Sequence, residues 1–165
     1  MKKILLILLS SLLILSSCST TEKTYSFVSS DGIRVFIRPV KLKGEVPVTL
    51  DMTIPTEKSK IIGDATLNYS LITKRGTIKD IDSICLSFST DEGSFETEDN
   101  ELLFVEGKGK DEIEIRLTSS LSLTSTLSLM ESNRVEVTLK ADSFTYSLDS
   151  TSFISSLDST KGYLL

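Results

Sequence analysis

The sequence predicts an all-β fold, an antiparallel β-sandwich of immunoglobulin-like architecture with one or two short helices. Two observations carry this expectation. Apolar and polar residues alternate with a period of two along most of the chain, which is the signature of half-buried strands. Glycines and prolines fall between these runs, where turns need them. The cysteine pair and tryptophan that mark true immunoglobulin domains are absent, so the likeness is one of architecture only. A small barrel is the alternative, because periodicity assigns faces and not strand order.

In chain order, Tyr25 and Phe27 alternate with Ser26, and Ile33, Val35 and Ile37 alternate with Arg34, Phe36 and Arg38. Asp31-Gly32 separates these two runs as a tight hairpin turn. The next strands are marked by Val48, Leu50, Met52 and Ile54, then by Ala65, Leu67, Tyr69 and Leu71, then by Ile84, Leu86 and Phe88. A further candidate covers 102–105. It is followed by Ile113, Ile115 and Leu117, by Val135, Val137 and Leu139, and by Phe144, Tyr146 and Leu148. Gly44, Gly63, Gly76, Gly93, Gly107 and Gly109 lie between runs, Pro39 and Pro55 close strands, and Pro47 opens one. Two segments depart from this pattern. Residues 119–133 are rich in serine and leucine, with Leu123, Leu127 and Met130 at helical spacing, and read as a helix or a mixed segment. Residues 150–161 read as a short helix that buries Phe153, Ile154 and Leu157 and is ended by Gly162.

Ahead of the strands stand Met1-Lys2-Lys3, an apolar run over 4–15, and Leu15-Ser16-Ser17-Cys18. Two lysines before an apolar run 12 residues long fit an export signal, since a bilayer span takes about 20 apolar residues and a signal core about 7 to 15. The segment resembles that of the bacterial lipoprotein family, whose lipobox is a branched apolar residue, two small residues and a cysteine. The resemblance covers the targeting segment alone. It implies cleavage after Ser17, a diacylglyceryl thioether on Cys18, and often a third acyl chain on the new amino terminus. Two or more acyl chains anchor a protein durably. Ser19, in place of aspartate, points to the outer membrane or cell surface by the sorting rule of enteric bacteria. The expected organisation is therefore a signal peptide at 1–17, a polar lipid-anchored tether at 18–24 and one β-sandwich domain at 25–165.

Cleavage removes two of 18 basic residues and leaves a chain of 148 residues with 16 basic against 23 acidic side chains. One domain of that size buries a substantial core. The negative balance disfavours nucleic acid and bare attraction to anionic lipid headgroups. With Cys18 acylated, Cys85 is the remaining thiol, so no intramolecular disulfide forms and stability rests on packing.

Catalytic chemistry finds little to work with. The chain has no histidine, which removes the commonest general base, the usual triads and most zinc sites. No serine lies in a Gly-x-Ser-x-Gly or Ser-x-x-Lys motif, and a serine without a base is inert. Cys85 reads as a quiet, semi-buried thiol. The acidic stretch 91–101 offers oxygen atoms, but no calcium-loop spacing, and reads as a solvated hairpin. No metal or other cofactor is expected. The candidate binding surface is Arg34, Phe36 and Arg38, continued by Lys41 and Lys43, where an aromatic ring between two guanidinium groups suits a carboxylate, phosphate, sugar acid or acidic protein patch. The bland reading of the same stripe is an outer sheet face whose arginine stems shelter the ring.

These readings converge on a non-enzymatic, lipid-anchored envelope protein. Its partners would be the membrane, through Cys18, and an envelope or extracellular protein or glycan. The alternative is a carrier of a small lipid or glycan ligand in a barrel or split sandwich. A large enclosed cavity would favour the carrier, and a packed interior with an exposed patch or open edge the binding module.

Overall fold

A computed structural model describes residues 24–29 and 32–164. The expected signal peptide, Cys18, the tether up to residue 23 and Asp31 of the hairpin turn lie outside the described residues. The chain forms β1 (Thr24–Ser29), β2 (Gly32–Leu42), β3 (Val48–Glu57), β4 (Lys60–Ile61), β5 (Ala65–Lys74), a 3₁₀ turn (Ile81–Ser83), β6 (Cys85–Thr90), β7 (Gly93–Glu96), β8 (Glu98–Gly107), β9 (Glu112–Leu121), α1 (Leu123–Glu131), β10 (Val135–Ala141), β11 (Phe144–Leu148) and α2 (Thr151–Leu164).

Two antiparallel sheets result. The larger runs β1-β2-β3-β5-β9-β8 with β4 beside β3, the smaller β11-β10-β6-β7, and neither closes into a barrel. The fold is therefore all-β and sandwich-like, as the periodicity predicts. Period-two alternation puts Leu50, Met52, Leu67, Tyr69, Leu71, Ile115 and Leu117 of the larger sheet in one continuous apolar cluster with Leu86, Phe88, Val137 and Leu139 of the smaller. The chain crosses back from the small sheet at Thr97, which is pinned from both sides. Its N–H donates to the Leu86 carbonyl at 2.9 Å, and its hydroxyl accepts from the Leu86 N–H at 3.1 Å and donates to Asn100 Oδ1 at 3.0 Å. The phenol of the buried Tyr69 also reaches Asn100 Oδ1, at 3.1 Å, and its burial raises the phenol pKa above the usual range.

The mixed reading of 119–133 resolves into two elements. β9 continues to Leu121, and Ser122 then caps α1, its hydroxyl accepting from the Ser125 N–H while Asp64 accepts from the Leu123 N–H at 2.8 Å. The buried face of α1 is Thr126, Leu129 and Met130, whereas Leu127 is exposed. α2 buries Phe153, Ser156, Leu157 and Thr160. It packs against β2 and β1, and Phe153 meets Phe88 with ring centroids 6.1 Å apart. Gly162 does not end this helix, which continues to Leu164; one glycine near a helix end costs too little to stop it when its neighbours pack.

Other expectations are corrected locally. Pro39 does not close β2 but sits in a bulge between Ile37 and Val40, and Pro55 lies inside β3 opposite Arg34. Both places tolerate a missing donor, the first because a bulge interrupts the ladder and the second because β5 pairs only as far as Thr53. The alternation of β1 turns its rings away from the core: Tyr25 and Phe27 are each 38 % exposed, and Ile33 at the start of β2 is exposed as well. β1 is the last strand of its sheet, so its apolar residues have less to bury against.

Candidate functional site

The β1–β2 hairpin builds the candidate site on the outer face of the larger sheet. Its register sets Tyr25 opposite Phe36 and Phe27 opposite Arg34. Cross-strand pairs on one face stand close enough for rings to touch. The Tyr25 ring lies 5.1 Å from Phe36 and 6.3 Å from Phe27. The bulge in β2 places Arg38 and Pro39 against the single residue Asp51, and the Arg38 guanidinium then lies 5.4 Å from the centroid of the Tyr25 ring. Arg34 donates from Nε to Ser29 Oγ at 3.3 Å. The three residues singled out in the sequence thus share one face, as their period-two spacing expects.

Tyr25 and Phe27 complete the patch and were not among the sequence candidates. A tight turn at Asp31-Gly32, as expected from the sequence, would have set Tyr25 opposite Arg38; instead Gly32 opens β2 opposite Ser29, which sets Tyr25 opposite Phe36. Lys41 continues the outer face opposite Thr49, whereas Lys43 lies beyond β2, where its backbone carbonyl accepts from the Asp149 N–H at 2.7 Å. Three rings between two guanidinium groups form a strip whose composition is suited to planar or anionic groups, through stacking and charge-assisted hydrogen bonds.

Beside the strip, the centre of the outer face is satisfied internally. Arg116 pairs with Asp51 at 3.2 Å and donates to Ser70 at 3.1 Å, and Asn68 donates to Asp51 at 2.8 Å. Asp51 and Ser70 are each only 6 % exposed, so this network holds the face together and offers little free charge.

The acidic stretch divides between a turn and two strands. Asp91 accepts from Ser132 and from the Asn133 N–H at 3.3 Å, tying the turn to the end of α1. Glu96 pairs with Lys140, whose hydrogen bond holds the Glu96 carboxyl below the usual carboxylate range. Cys85 donates to the same carboxylate across 3.7 Å, and burial first, then the Glu96 charge, pushes its thiol up. A thiol kept protonated is a poor nucleophile. Among the described residues, no group of three or more aspartate, glutamate or cysteine side chains is placed to hold a metal ion.

Two further surfaces stand out. β8 is exposed along its whole length. A cleft of about 610 Å³ lies between β4, α1 and the end of α2, with Ile61, Leu127, Met130 and Leu164 along it and Lys60, Glu131 and Lys161 at its rim. No helix among the described residues is long and apolar enough to cross a membrane. No family model, curated protein or solved structure matches the chain.

Proposed function

We propose that the chain is a lipid-anchored cell-envelope protein, held at the outer membrane or cell surface through Cys18, that acts without catalysis as a binding and assembly module. The observation that supports this reading is the strip of Tyr25, Phe27 and Phe36 between Arg34 and Arg38, on the β1–β2 hairpin whose first strand ends its sheet. An exposed aromatic and arginine cluster is the composition of interface hot spots, and an open edge accepts a partner strand through backbone hydrogen bonds alone. The partner such a strip recognises is an acidic surface of an envelope or extracellular protein, or an acidic glycan. The filled space between the sheets argues in the same direction, because one apolar cluster occupies it.

The test is cross-linking in intact cells followed by mass spectrometry of what co-purifies. A specific partner captured by the native chain, and lost with Arg34→Ala, Phe36→Ala and Arg38→Ala combined, supports the module; capture that ignores these changes overturns the strip as its surface. Anchoring is tested separately by Cys18→Ala, which should leave an unacylated precursor, and lipid labelling that persists in that variant sinks the anchor.

A second reading, a small-ligand carrier, is favoured by the 610 Å³ cleft with its apolar floor and lysine rim. That volume lies within the range of small-molecule sites. A lipid or glycan that co-purifies with the native chain and is lost with Leu127→Lys would move the carrier ahead.

A further inference from the structure

Both end strands of the larger sheet are open among the described residues: β1 pairs only with β2, and β8 only with β9. β8 carries four consecutive apolar residues, Leu102, Leu103, Phe104 and Val105, each between 41 and 48 % exposed. Long apolar edges invite pairing, and proteins usually blunt them. At the opposite edge, Val28 is 81 % exposed. Each edge therefore shows apolar side chains that the other described residues do not cover.

The two edges also fit each other. The path β1-β2-β3-β5-β9-β8 contains six strands, each antiparallel to the next. An even number leaves β1 and β8 running in opposite directions. A second copy shifted along the sheet then lays its β1 antiparallel to β8, with outer faces on the same side. Charge agrees with direction. On the outer face of β8, Glu98 and Glu101 stand opposite Ser120 and Thr118 and form no ion pair among the described residues. On the outer face beside β1 stand Arg34 and Arg38, next to the rings of Tyr25 and Phe36.

We propose that this chain assembles with copies of itself head to tail, the β8 edge of one copy pairing antiparallel with the β1 edge of the next. This rests on the assembly role proposed above and names its partner as a second copy. Inner-face Leu102 then meets Val28 and Phe104 falls beside Phe27, which sets outer-face Glu101 beside Ser29, the acceptor of Arg34, and outer-face Glu106 at the Tyr25 end where Arg38 stands. Two bulges in β8, between Glu98 and Glu101 and between Leu102 and Phe104, leave residues 104–107 as its regular ladder. The shared backbone ladder is therefore short, and side-chain matching selects the partner. Two-fold pairing is disfavoured by the same charges: β8 on β8 gathers carboxylates, and β1 on β1 gathers guanidinium groups. A head-to-tail contact of this kind continues into rows rather than closing as a dimer.

The test uses the full chain in its own membrane, with a photo-cross-linking phenylalanine analogue at position 104. The expected result is a ladder of covalent multiples in which position 104 is joined to the peptide bearing Phe27. Arg34→Glu, and separately Glu101→Lys, should each reduce the ladder by about tenfold. Co-expression of the two variants should restore it, since every junction again joins opposite charges. Position 104 joined to position 104 of another copy, or variants without effect, overturns the head-to-tail contact. A monomeric chain whose strip still captures a different envelope protein overturns self-assembly and leaves the binding module standing. A chain that captures neither itself nor another protein overturns both.

Discussion

Asp51 shows how little room the outer face leaves for change. Its carboxylate accepts from both Asn68 and Arg116 while almost wholly covered. Asp51→Ala removes both acceptors, and because the Arg116 side chain keeps about a third of its exposure, the cost should be about 2 kcal/mol, below that of a fully buried pair. Urea denaturation checks this, with Asp51→Asn expected to recover part of the loss. Two other carboxyls tie stability to pH. Hydrogen bonds from Lys140 and Lys108 hold Glu96 and Glu114 below their ordinary value of 4.5. A carboxyl whose folded pKa is depressed binds fewer protons folded than unfolded. Its contribution is complete above about pH 4.5 and disappears as pH falls through the folded pKa. Cys85 acts on the other side, because its raised folded pKa gives a contribution present below the ordinary 9.0 and lost at higher pH. Midpoints measured from pH 3 to pH 10 should therefore fall at both ends. The acid-side loss should be small, since these pairs are partly exposed and screened. Cys85 should also alkylate at least about tenfold faster in urea than in the native chain at pH 8.

Two glycines give opposite expectations at the level of elements. A methyl group on Gly44 would meet the Ser147 carbonyl oxygen at 2.7 Å and the Leu148 side chain at 2.9 Å, where the chain after β2 runs close to the end of β11. Gly44→Ala should destabilise by about 1–3 kcal/mol. Gly162 has open space around it inside α2, so Gly162→Ala should stabilise by up to about 1 kcal/mol. Thermal melts of the two variants should move in opposite directions. The same elements show what could be read from the chain. Where one face meets the core, as in β3, β5, β9 and β10, alternation named the inward residues correctly. It misjudged β1, because an edge strand keeps the alternating pattern without a second layer beneath all of it. It barely registered β8, whose apolar residues are consecutive and exposed. Gly162 misled for a related reason: the end of α2 is set by packing on β1 and β2, a tertiary fact. The arginine strip was half legible, since Arg34, Phe36 and Arg38 are neighbours in sequence while Tyr25 and Phe27 join them only through register.

At the scale of the molecule, α2 closes the structure. Phe153 is fully buried against Phe88 of the small sheet, and the helix bearing it packs on the first two strands of the large one. Phe153→Ala should cost about 3–5 kcal/mol, and the loss should be accompanied by faster hydrogen exchange in β1 and β2 than in β5 and β9. Loss spread evenly over both sheets would contradict a local closing role. The closure joins the two ends of the described chain. The hydroxyls of Thr24 and Thr160 lie 2.9 Å apart across 136 positions, and Tyr163 donates to the Thr24 carbonyl. Synthesis delivers the amino end first, so the β1–β2 hairpin emerges long before the residues that shelter its inward side. Val35 and Ile37 have to wait for the last turns of the chain. A product stopped short of residue 160 keeps nearly all of its strands yet shows an uncovered apolar flank, the kind of surface by which quality-control proteases recognise incomplete molecules.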